Sequence, residues 1–298
     1  KMAEIAVFMH SRPSERPTSV FIVSQPGAGK TGLRTYVESK YNTQFIDFDP
    51  DEIAIYHKYY KEILQEYPKE SYRILQKFVS PALDNYLRYK AVLLKNNIMQ
   101  EGTFASTDGY LRVLDFQKNG GKLPFARINE KGEEEEQYAE GHYNIDINVL
   151  AVDRFESLLS AYEREEDFIQ AGLPPRAVTA ENHDRAYRNI IETLKRTQER
   201  GLYDNITIFR RGEVETQPRK VWQVGEPEYQ DPIQALLAER EKDRKKLLSD
   251  PHKYLERIER LKSRITRKDA NAQIQIGKIE ILEQEFLELL RDKEEQSL

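Results

Sequence analysis

Short apolar runs alternate with long amphipathic segments between residues 18 and about 222. Five of these runs have the length of buried strands: SVFIVS, TQFIDF, NIMQEG, DINVLAV and NITIFRR. Between them lie helical segments such as GLRTYVESKY, PALDNYLRYKAVLLKN, GYLRVLDFQKNGG and AYRNIIETLKRTQERG. The last two finish at glycines, where helices often end. The alternation predicts an α/β domain with a central parallel sheet flanked by helices.

The pattern changes after Val224. The stretch GEPEYQDP predicts a linker, and beyond it apolar residues recur at heptad spacing in two groups: Ile258, Leu261 and Ile265, then Ile279, Leu282, Phe286 and Leu289. Two helices separated near KDANAQ predict a C-terminal α-helical hairpin or coiled-coil arm over residues 229–298. Such an arm is either a partner-binding or regulatory module, or a structural element packed on its own domain.

Two further segments depart from the α/β rhythm. Residues 1–17 join the amphipathic stretch MAEIAVFMH to a connector rich in Pro, Ser and Arg, and we interpret them as an N-terminal arm. The acidic run NEKGEEEEQYAEG marks an insertion at about residues 126–145. Because runs of like charge are usually solvated, we expect this insertion to be exposed rather than to bind a metal. The main domain is therefore predicted to span residues 18–224.

The amino-acid composition excludes several classes of function. The chain has 298 residues, of which 39% are hydrophobic and 33% charged, and this balance indicates a large solvated helical portion beside an ordinary core. Its net charge of -5 argues against binding nucleic acid through phosphate contacts. There is no cysteine, which excludes thiolate catalysis and disulfides. Ile5–Met9 lacks the flanks of a secretory signal, and no apolar run approaches the ~20 residues of a membrane span. These features predict a soluble, cytoplasmic protein.

The stretch VFIVSQPGAGKTGL carries the first candidate chemistry. It matches the phosphate-loop pattern G-x-x-x-x-G-K-[ST] except at Ser24, where the first glycine is expected. Gly27 and Gly29 would let the backbone approach phosphates, and Lys30 would reach the β- and γ-phosphates of ATP. The Thr31 hydroxyl would bind Mg²⁺. The predicted nucleotide-binding residues are Gln25, Pro26, Gly27, Ala28, Gly29, Lys30 and Thr31.

Acidic and polar residues follow the next two predicted strands. Asp47, Asp49 and Asp51 lie at or just past the end of the second strand, and Glu101 and Thr103 follow the third. Ligands of open α/β sheets bind at this carboxyl edge, where a carboxylate near the γ-phosphate can accept the proton of an attacking hydroxyl. Asp51 has a structural alternative, which is to cap the following helix. Glu101 and Thr103 are placed to bind an acceptor hydroxyl or a metal-bound water.

Two arginines are candidates for a lid. Arg164 lies in the helical segment SLLSAYERE, and Arg176 follows it in PPRAVT. An arginine in such a segment can close over a transferred phosphate and neutralise its developing charge. Each could equally be a surface arginine on a charged helix.

Taken together, these motifs resemble the zeta-toxin family. QPGAGKT, DPDEIAIYH, EGT, ESLLSAYERE, PPRAVT, ENHDRAYRNIIETL and GLYDNITIFRRGE follow one another in the order seen in that family, over roughly residues 18–215. The resemblance implies a P-loop NTPase fold of the nucleotide-kinase type. It also implies transfer of the ATP γ-phosphate to the 3′-hydroxyl of the amino sugar of UDP-N-acetylglucosamine, which blocks early cell-wall synthesis. A small helical antitoxin would occlude the nucleotide site.

The resemblance also implies residue roles. Asp51 would be the general base, Lys30 and Thr31 the phosphate and Mg²⁺ ligands, Glu101 and Thr103 the acceptor-binding residues, and Arg164 and Arg176 the lid arginines. The chain departs from the family at Ala54 and Ala105, where arginines are usual, and at Lys58, where a proline is common. Two alternatives therefore stay open: a kinase for another nucleotide or small-molecule acceptor, and a nucleotide-binding interaction module with a helical partner-binding arm.

Overall fold

The protein is described by a computed structural model that covers residues 8, 12–48, 55–56, 58–67, 70–75, 80–128, 133–173, 175–212 and 217–295. Its strands are β1 Thr18–Val23, β2 Ile46–Phe48, β3 Ile98–Gly102, β4 Gly120–Lys122, β5 Arg127–Ile128, β6 Glu134–Glu135, β7 Tyr138–Glu140, β8 Asn144–Ala151, β9 Asn205–Arg210 and β10 Arg219–Gln223. Its helices are α1 Lys30–Glu38, α2 Tyr60–Glu66, α3 Ser71–Ile74, α4 Ser80–Leu93, α5 Thr107–Asn119, α6 Arg154–Gln170, α7 Ala180–Glu199, α8 Pro232–Ser249, α9 Pro251–Arg264 and α10 Ala270–Glu295.

Six strands form one sheet in the order β10-β9-β8-β1-β3-β2. Neighbouring strands are parallel except β10, which pairs antiparallel with β9. The α/β fold with a mostly parallel central sheet is thus confirmed, and all five strands predicted from the apolar runs belong to this sheet. The edge strand β10, RKVWQ, was missed because most of its residues are exposed or half-buried and only Trp222 is fully enclosed.

Strand β1 lies at the centre of the sheet and is covered on both faces. Phe21 and Val23 point into the larger core, which packs beneath the helices α4, α5 and α7. Val20 and Ile22 point the other way, towards α1. This burial on both faces explains why the strand is a continuous apolar run rather than an alternating one.

The C-terminal segment has the predicted break near KDANAQ, between α9 and α10, but it contains one helix more than the predicted two-helix hairpin. It forms three helices, because Pro251 begins α9 directly after α8 ends, and prolines are favoured at the first helical position. The heptad residues of α9 and α10 face α6 of the main domain, and together they form a second core that includes Phe155, Leu158, Ile258 and Phe286. Within the described residues the segment is therefore packed on its own domain. The domain boundary at residues 225–228 stays a prediction of the sequence.

The two remaining predicted segments are also partly structured. Within the acidic insertion β5 pairs with β6, while β7 pairs with β4, which lies just before the insertion. The insertion gives way to the buried strand β8 at Asn144. Near the N-terminus, Pro13 bridges to Asn96, and the Ser14 amide donates to the Lys95 carbonyl at 2.8 Å. This part of the predicted arm therefore lies along the main domain. Among the described residues, no helix has the length and apolar character of a membrane span.

Candidate nucleotide-binding site

The loop between β1 and α1 has the backbone geometry of a phosphate cradle. Gly27 has a φ of 73° and Gly29 a φ of 94°, both in the left-handed region that favours glycine. Gly29 occupies the N-cap position of α1, and no described side chain caps this helix. The backbone N–H groups of the first turn are therefore directed to an incoming anion, as the positive end of the helix dipole favours.

The departure from the motif at Ser24 has a structural explanation. Ser24 is fully buried, does not take a positive φ, and its amide donates to the Gly102 carbonyl at 3.2 Å. A glycine is therefore not required for backbone conformation at this position. The serine carbonyl also accepts a hydrogen bond from the Lys30 ammonium at 3.1 Å.

The Lys30 ammonium is hydrogen-bonded to backbone carbonyls of the loop itself. Its Nζ donates to the Ser24 carbonyl and, at 3.4 Å, to the Gln25 carbonyl. Burial lowers the pKa of Lys30 to about 8, the Glu101 carboxylate opposes this effect, and the nearby Arg164 guanidinium adds to it. The ammonium is therefore mostly protonated at pH 7 but easily shifted, and a bound triphosphate would raise its pKa again.

The Glu101 carboxylate lies between two cations. Besides its effect on Lys30, it lies 3.7 Å from Nη1 of Arg34, whose Nη2 pairs with Asp47. Arg34 comes from α1, while Asp47 and Glu101 come from the neighbouring strands β2 and β3. The carboxyl edge of the sheet thus brings together the carboxylates of two separate predicted motifs.

The loop after β3 is held in a strained conformation. Phe104 is fully buried with a φ of 50°, which is uncommon for a bulky residue. From α7, the Thr193 hydroxyl donates to the Phe104 carbonyl at 3.2 Å and the Asn189 amide to the Ala105 carbonyl at 2.7 Å. These bonds fix the segment that carries the half-buried Thr103.

The two candidate lid arginines have different surroundings. Arg164 is exposed on α6, close enough to Lys30 to affect its pKa. Arg176 lies in the loop between α6 and α7, and its guanidinium carbon is 5.1 Å from the centre of the Phe168 ring. Arg164 therefore acts electrostatically on the loop lysine, whereas Arg176 contacts Phe168 of α6.

Arg211, which follows β9, contacts the loop although no sequence motif predicted it. Its Nε donates to the Ala28 carbonyl at 2.9 Å, and its Nη2 donates to the Gly27 carbonyl. Its Nη1 contacts the Glu156 carboxylate of α6 at 3.0 Å. The guanidinium therefore supports the outer side of the phosphate loop. The available sequence signal was a pair of consecutive arginines where a buried strand ends, at the carboxyl edge of the sheet.

A buried polar chain also supports the loop from α6 and α7. The Gln25 amide donates to the Ser157 hydroxyl at 3.1 Å, and that hydroxyl lies 2.9 Å from Nε2 of His183. Nδ1 of His183 is 3.1 Å from Asp184. Since a carboxylate only accepts, Nδ1 of His183 carries a proton. The single proton of the Ser157 hydroxyl is shared between Nε2 of His183 and the Asp153 carbonyl, which accepts from this hydroxyl at 2.8 Å. Although this is a Ser-His-Asp series, Ser157 and His183 are fully buried, so its role is to position Gln25.

Because His183 is buried, we expect the free energy of unfolding to depend on pH. Burial lowers its pKa; Asp184 opposes this effect, whereas Arg154 and Arg240 add to it. The neutral ring is thus favoured in the folded state, and the stabilisation present above the unfolded pKa of about 6.5 is lost as pH falls towards the folded pKa. The loss is about 1.4 kcal/mol for each pKa unit. Urea unfolding at pH 7.5 and 5.5 measures it. The His183→Asn variant should lose this pH dependence, and an equal dependence in both proteins would contradict the assignment.

We expect a side chain at Gly27 to destabilise the protein strongly for steric reasons. A Cβ at this position would lie 2.0 Å from the Ser157 carbonyl oxygen and 2.7 Å from the Ala161 amide nitrogen, both on the backbone of α6. Gly27→Ala should therefore lower the free energy of unfolding by about 3 kcal/mol, from left-handed strain and the clash together. Gly201→Ala is the matched control, because Gly201 has a φ of 61° and nothing within 4 Å of the added Cβ. Its expected loss is about 1 kcal/mol. Equal melting temperatures for the two variants would show that α6 does not press on the loop.

The remaining predicted nucleotide-binding residues lie in the loop or on the first turn of α1. Pro26 is half-buried in the loop, Ala28 is fully buried, and Thr31 is exposed on the first turn of α1 beside Lys30. Asp49, Asp51 and Ala54 lie outside the described residues. The role of Asp51 therefore stays a prediction of the sequence.

The fold and this site define a class of protein. A glycine-rich loop joins a central strand of a mostly parallel sheet to a helix, a half-buried lysine donates to the carbonyls of this loop, and carboxylates line the adjacent strand ends. This is the architecture of the P-loop nucleotide-binding proteins of the kinase type.

Comparison with known proteins identifies the family. A family model described as Zeta toxin matches residues 4–123 and 123–220, and the chain belongs to that family. It is similar to Toxin PezT of Streptococcus pneumoniae serotype 4, with 25% identity over 201 residues covering 67% of this chain and 71% of PezT. It is 26% identical to Toxin zeta of Enterococcus hirae over 249 residues, 82% of this chain and 76% of that toxin.

A solved structure has the same fold. It comes from a characterisation of the PezAT chromosomal toxin-antitoxin system of Streptococcus pneumoniae and superposes with a TM-score of 0.62. The sequences are 17% identical, and the match covers 86% of this chain and 90% of that chain. The fold predicted from the resemblance is confirmed.

Proposed function

We propose that the protein is the toxin kinase of a toxin-antitoxin system and transfers the γ-phosphate of ATP to the 3′-hydroxyl of the amino sugar of UDP-N-acetylglucosamine. The observation that carries the proposal is the surroundings of Lys30. Its ammonium lies between the loop carbonyls of Ser24 and Gln25 and responds to both Glu101 and Arg164. A phosphate-loop lysine beside an acceptor-side carboxylate and a lid-side arginine is the arrangement that phosphoryl transfer needs.

The donor side fits a nucleotide triphosphate. Gly27 and Gly29 hold the loop in a left-handed backbone conformation in which its N–H groups can bind phosphate oxygens, and the Lys30 ammonium lies within the loop. The exposed Thr31 hydroxyl on the first turn of α1 is an oxygen ligand of the type that Mg²⁺ prefers. When bound with ATP, Mg²⁺ would neutralise charge on the β- and γ-phosphates.

The acceptor side has a cavity of about 690 Å³ between α4, the start of α5 and residues 124–125. It is lined by aromatic residues, among them Tyr86, which packs on Phe125 with 4.7 Å between ring centroids. Tyr110 connects this cavity to the EGT motif, because its hydroxyl abuts Gly102. Aromatic surfaces stack on nucleobases, so the cavity suits the base of a nucleotide-linked acceptor.

The same cavity offers cations in place of the arginines missing at positions 54 and 105. Arg88 and Arg112 line it, and Arg88 is also bonded to Gln100 on β3. Guanidinium groups bind phosphate oxygens with two parallel hydrogen bonds. This supports an acceptor that carries a diphosphate, although the supporting arginines come from other positions than in the family pattern.

In the proposed reaction each predicted site residue has one role. Asp51 takes the proton of the sugar 3′-hydroxyl, whose oxygen forms a bond to the γ-phosphorus while the bond from this phosphorus to the ADP oxygen breaks. Lys30 and Arg164 stabilise the charge that develops on the transferred group. Glu101 and Thr103 orient the acceptor, and Arg176, in the loop between α6 and α7, closes over the transferred phosphate.

The biological consequence is also part of the proposal. The phosphorylated product would block early cell-wall synthesis in the cytoplasm, and a small helical antitoxin would hold the protein inactive. The relatives named as toxins, and the PezAT system from which a structure of the same fold comes, support this partner class.

A different acceptor is the second candidate, and Ala105 favours it. Its carbonyl accepts from Asn189, and its methyl group offers no charge where the family pattern has an arginine. The machinery around Lys30 would be unchanged, and the pocket would accept another nucleotide or a smaller molecule.

The test is acceptor-dependent transfer followed by mass spectrometry of the product. ATP is incubated with the protein and UDP-N-acetylglucosamine, and a parallel panel contains other nucleotides and sugar nucleotides. One added phosphate on UDP-N-acetylglucosamine is the expected result. Transfer to another acceptor would select the second candidate, and binding of ATP without transfer to any acceptor would favour a binding module.

A further inference from the structure

A helix outside the region matched by the family model contributes a buried side chain to the phosphate loop. The match ends at residue 220, whereas Arg240 lies on α8. Its Nη2 donates to the Gln25 side-chain oxygen at 3.3 Å, across 215 residues of sequence. We propose that Arg240 is a positioning residue for nucleotide binding and acts through Gln25. This inference rests on the proposed binding of ATP by the loop.

The guanidinium of Arg240 is held by one aromatic ring and by hydrogen bonds from both terminal nitrogens, while its buried Nε has no described hydrogen-bond partner. It is 2% exposed, its carbon lies 3.7 Å from the centre of the Tyr187 ring, and its Nη1 donates to the Tyr187 carbonyl at 3.0 Å. A planar guanidinium stacked on a ring and bonded at two edges has one orientation. Arg240 therefore presents a fixed donor to Gln25 rather than a mobile charge.

Gln25 is in turn fully bonded. Its Nε2 donates to the Val152 carbonyl at 2.9 Å and to the Ser157 hydroxyl at 3.1 Å, and its Oε1 accepts from Arg240. The backbone carbonyl of Gln25 accepts from the Lys30 ammonium. A shift of the Gln25 side chain thus moves a group that holds the loop lysine. The path from Arg240 to Lys30 runs through a single residue.

Stability alone does not explain a buried arginine here. Burial lowers the pKa of Arg240 to about 10, while Tyr187 and Asp153 oppose this effect and Arg244 adds to it. The guanidinium is therefore charged at pH 7, and its desolvation is costly. An apolar side chain of similar size is often as stable as a buried charge. What such a residue would lack is the directional bond to Gln25 and a positive charge next to an anion-binding loop.

The experiment measures ATP affinity directly by calorimetric titration of the full chain. Arg240→Met keeps an unbranched buried side chain but removes the donors, and it should weaken ATP binding about tenfold. Leu261→Ala is the control, because Leu261 is a buried residue of the core formed by α6, α9 and α10 and has no described bond to the loop. It should lower the melting temperature while ATP affinity stays within about twofold.

A double-mutant cycle shows whether Arg240 acts through Gln25. If it does, Arg240→Met adds little to the effect of Gln25→Ala. Additive losses would overturn the proposal, as would unchanged ATP affinity in Arg240→Met or an equal loss in Leu261→Ala. These titrations do not involve an acceptor, so they are independent of the sugar-nucleotide assignment.

Amide hydrogen exchange extends the test to a chain that does not bind ATP. Arg240→Met should raise exchange at residues 24–31 above the wild-type rate, and Leu261→Ala should not do so selectively. Unchanged exchange at this loop would refute the positioning role. Loss of ATP binding in the wild type, with faster loop exchange in Arg240→Met, would refute the proposed function and retain the structural link.

Discussion

Replacing Lys30 with alanine is expected to lower phosphate transfer by about a thousandfold and to weaken ATP binding as well. The ammonium lies within the loop, where it donates to the Ser24 and Gln25 carbonyls. Removing one preorganised group that stabilises developing charge costs ~10²- to 10³-fold in rate, and the loss of a phosphate contact adds to this. Turnover and ATP titration measure the two effects separately.

The lowered pKa of Lys30 adds a pH dependence to the prediction for ATP binding. Because burial lowers that pKa to about 8, ATP affinity should decrease as pH rises through this value and the ammonium loses its proton. A Lys30→Arg variant should lack the decrease, since arginine stays protonated. Lys245→Ala is the matched control, because Lys245 is an exposed lysine of α8 and should leave both measurements unchanged. Full activity in Lys30→Ala would refute the phosphate-loop mechanism.

Replacing Asp51 with alanine is expected to abolish detectable transfer while ATP affinity stays within about twofold. A general base contributes ~10²- to 10⁴-fold to rate but does not touch the donor phosphates in the ground state. Single-turnover transfer and ATP titration on the same preparation measure the two quantities. This pattern differs from that of Lys30→Ala, in which both are lost.

Asp47 and Asp49, in the same motif, are the alternative candidates for the general base. Unchanged turnover in Asp51→Ala would move the proposed base to Asp49 or Asp47. Asp47 pairs with Arg34, which also lies near Glu101, so Asp47→Ala should alter the acceptor side and raise the KM for the acceptor rather than that for ATP. A loss of ATP binding in Asp51→Ala would instead indicate a structural role such as helix capping.

The fold was predictable where its signals are local. The continuous apolar run of β1, the glycines of the loop and the amphipathic α1 lie next to one another in the chain, so their structure follows from neighbouring residues. The same holds for the strands that end before Asp49 and Thr103. The edge strand β10 was not predictable, because an exposed strand with one buried tryptophan lacks an apolar pattern.

The C-terminal helices show what heptad periodicity can and cannot predict. Heptad spacing correctly indicated that Ile258 and Phe286 lie on buried faces, but it does not say which surface covers them. The covering surface is α6, about 100 residues earlier in the chain. The division into three helices depended on Pro251, whose position between two helical segments was not recognised as a boundary.

By itself the sequence determined the class of fold, the phosphate loop and the family motifs, because each is encoded within a few adjacent residues. Only the tertiary structure decided how the loop is supported. Arg211 and Arg240 reach it from 183 and 215 residues away, and the buried chain from Gln25 to His183 joins three elements. Such contacts depend on distances between packed elements, and an arginine in a charged helix has no sequence pattern that distinguishes a buried partner from solvent.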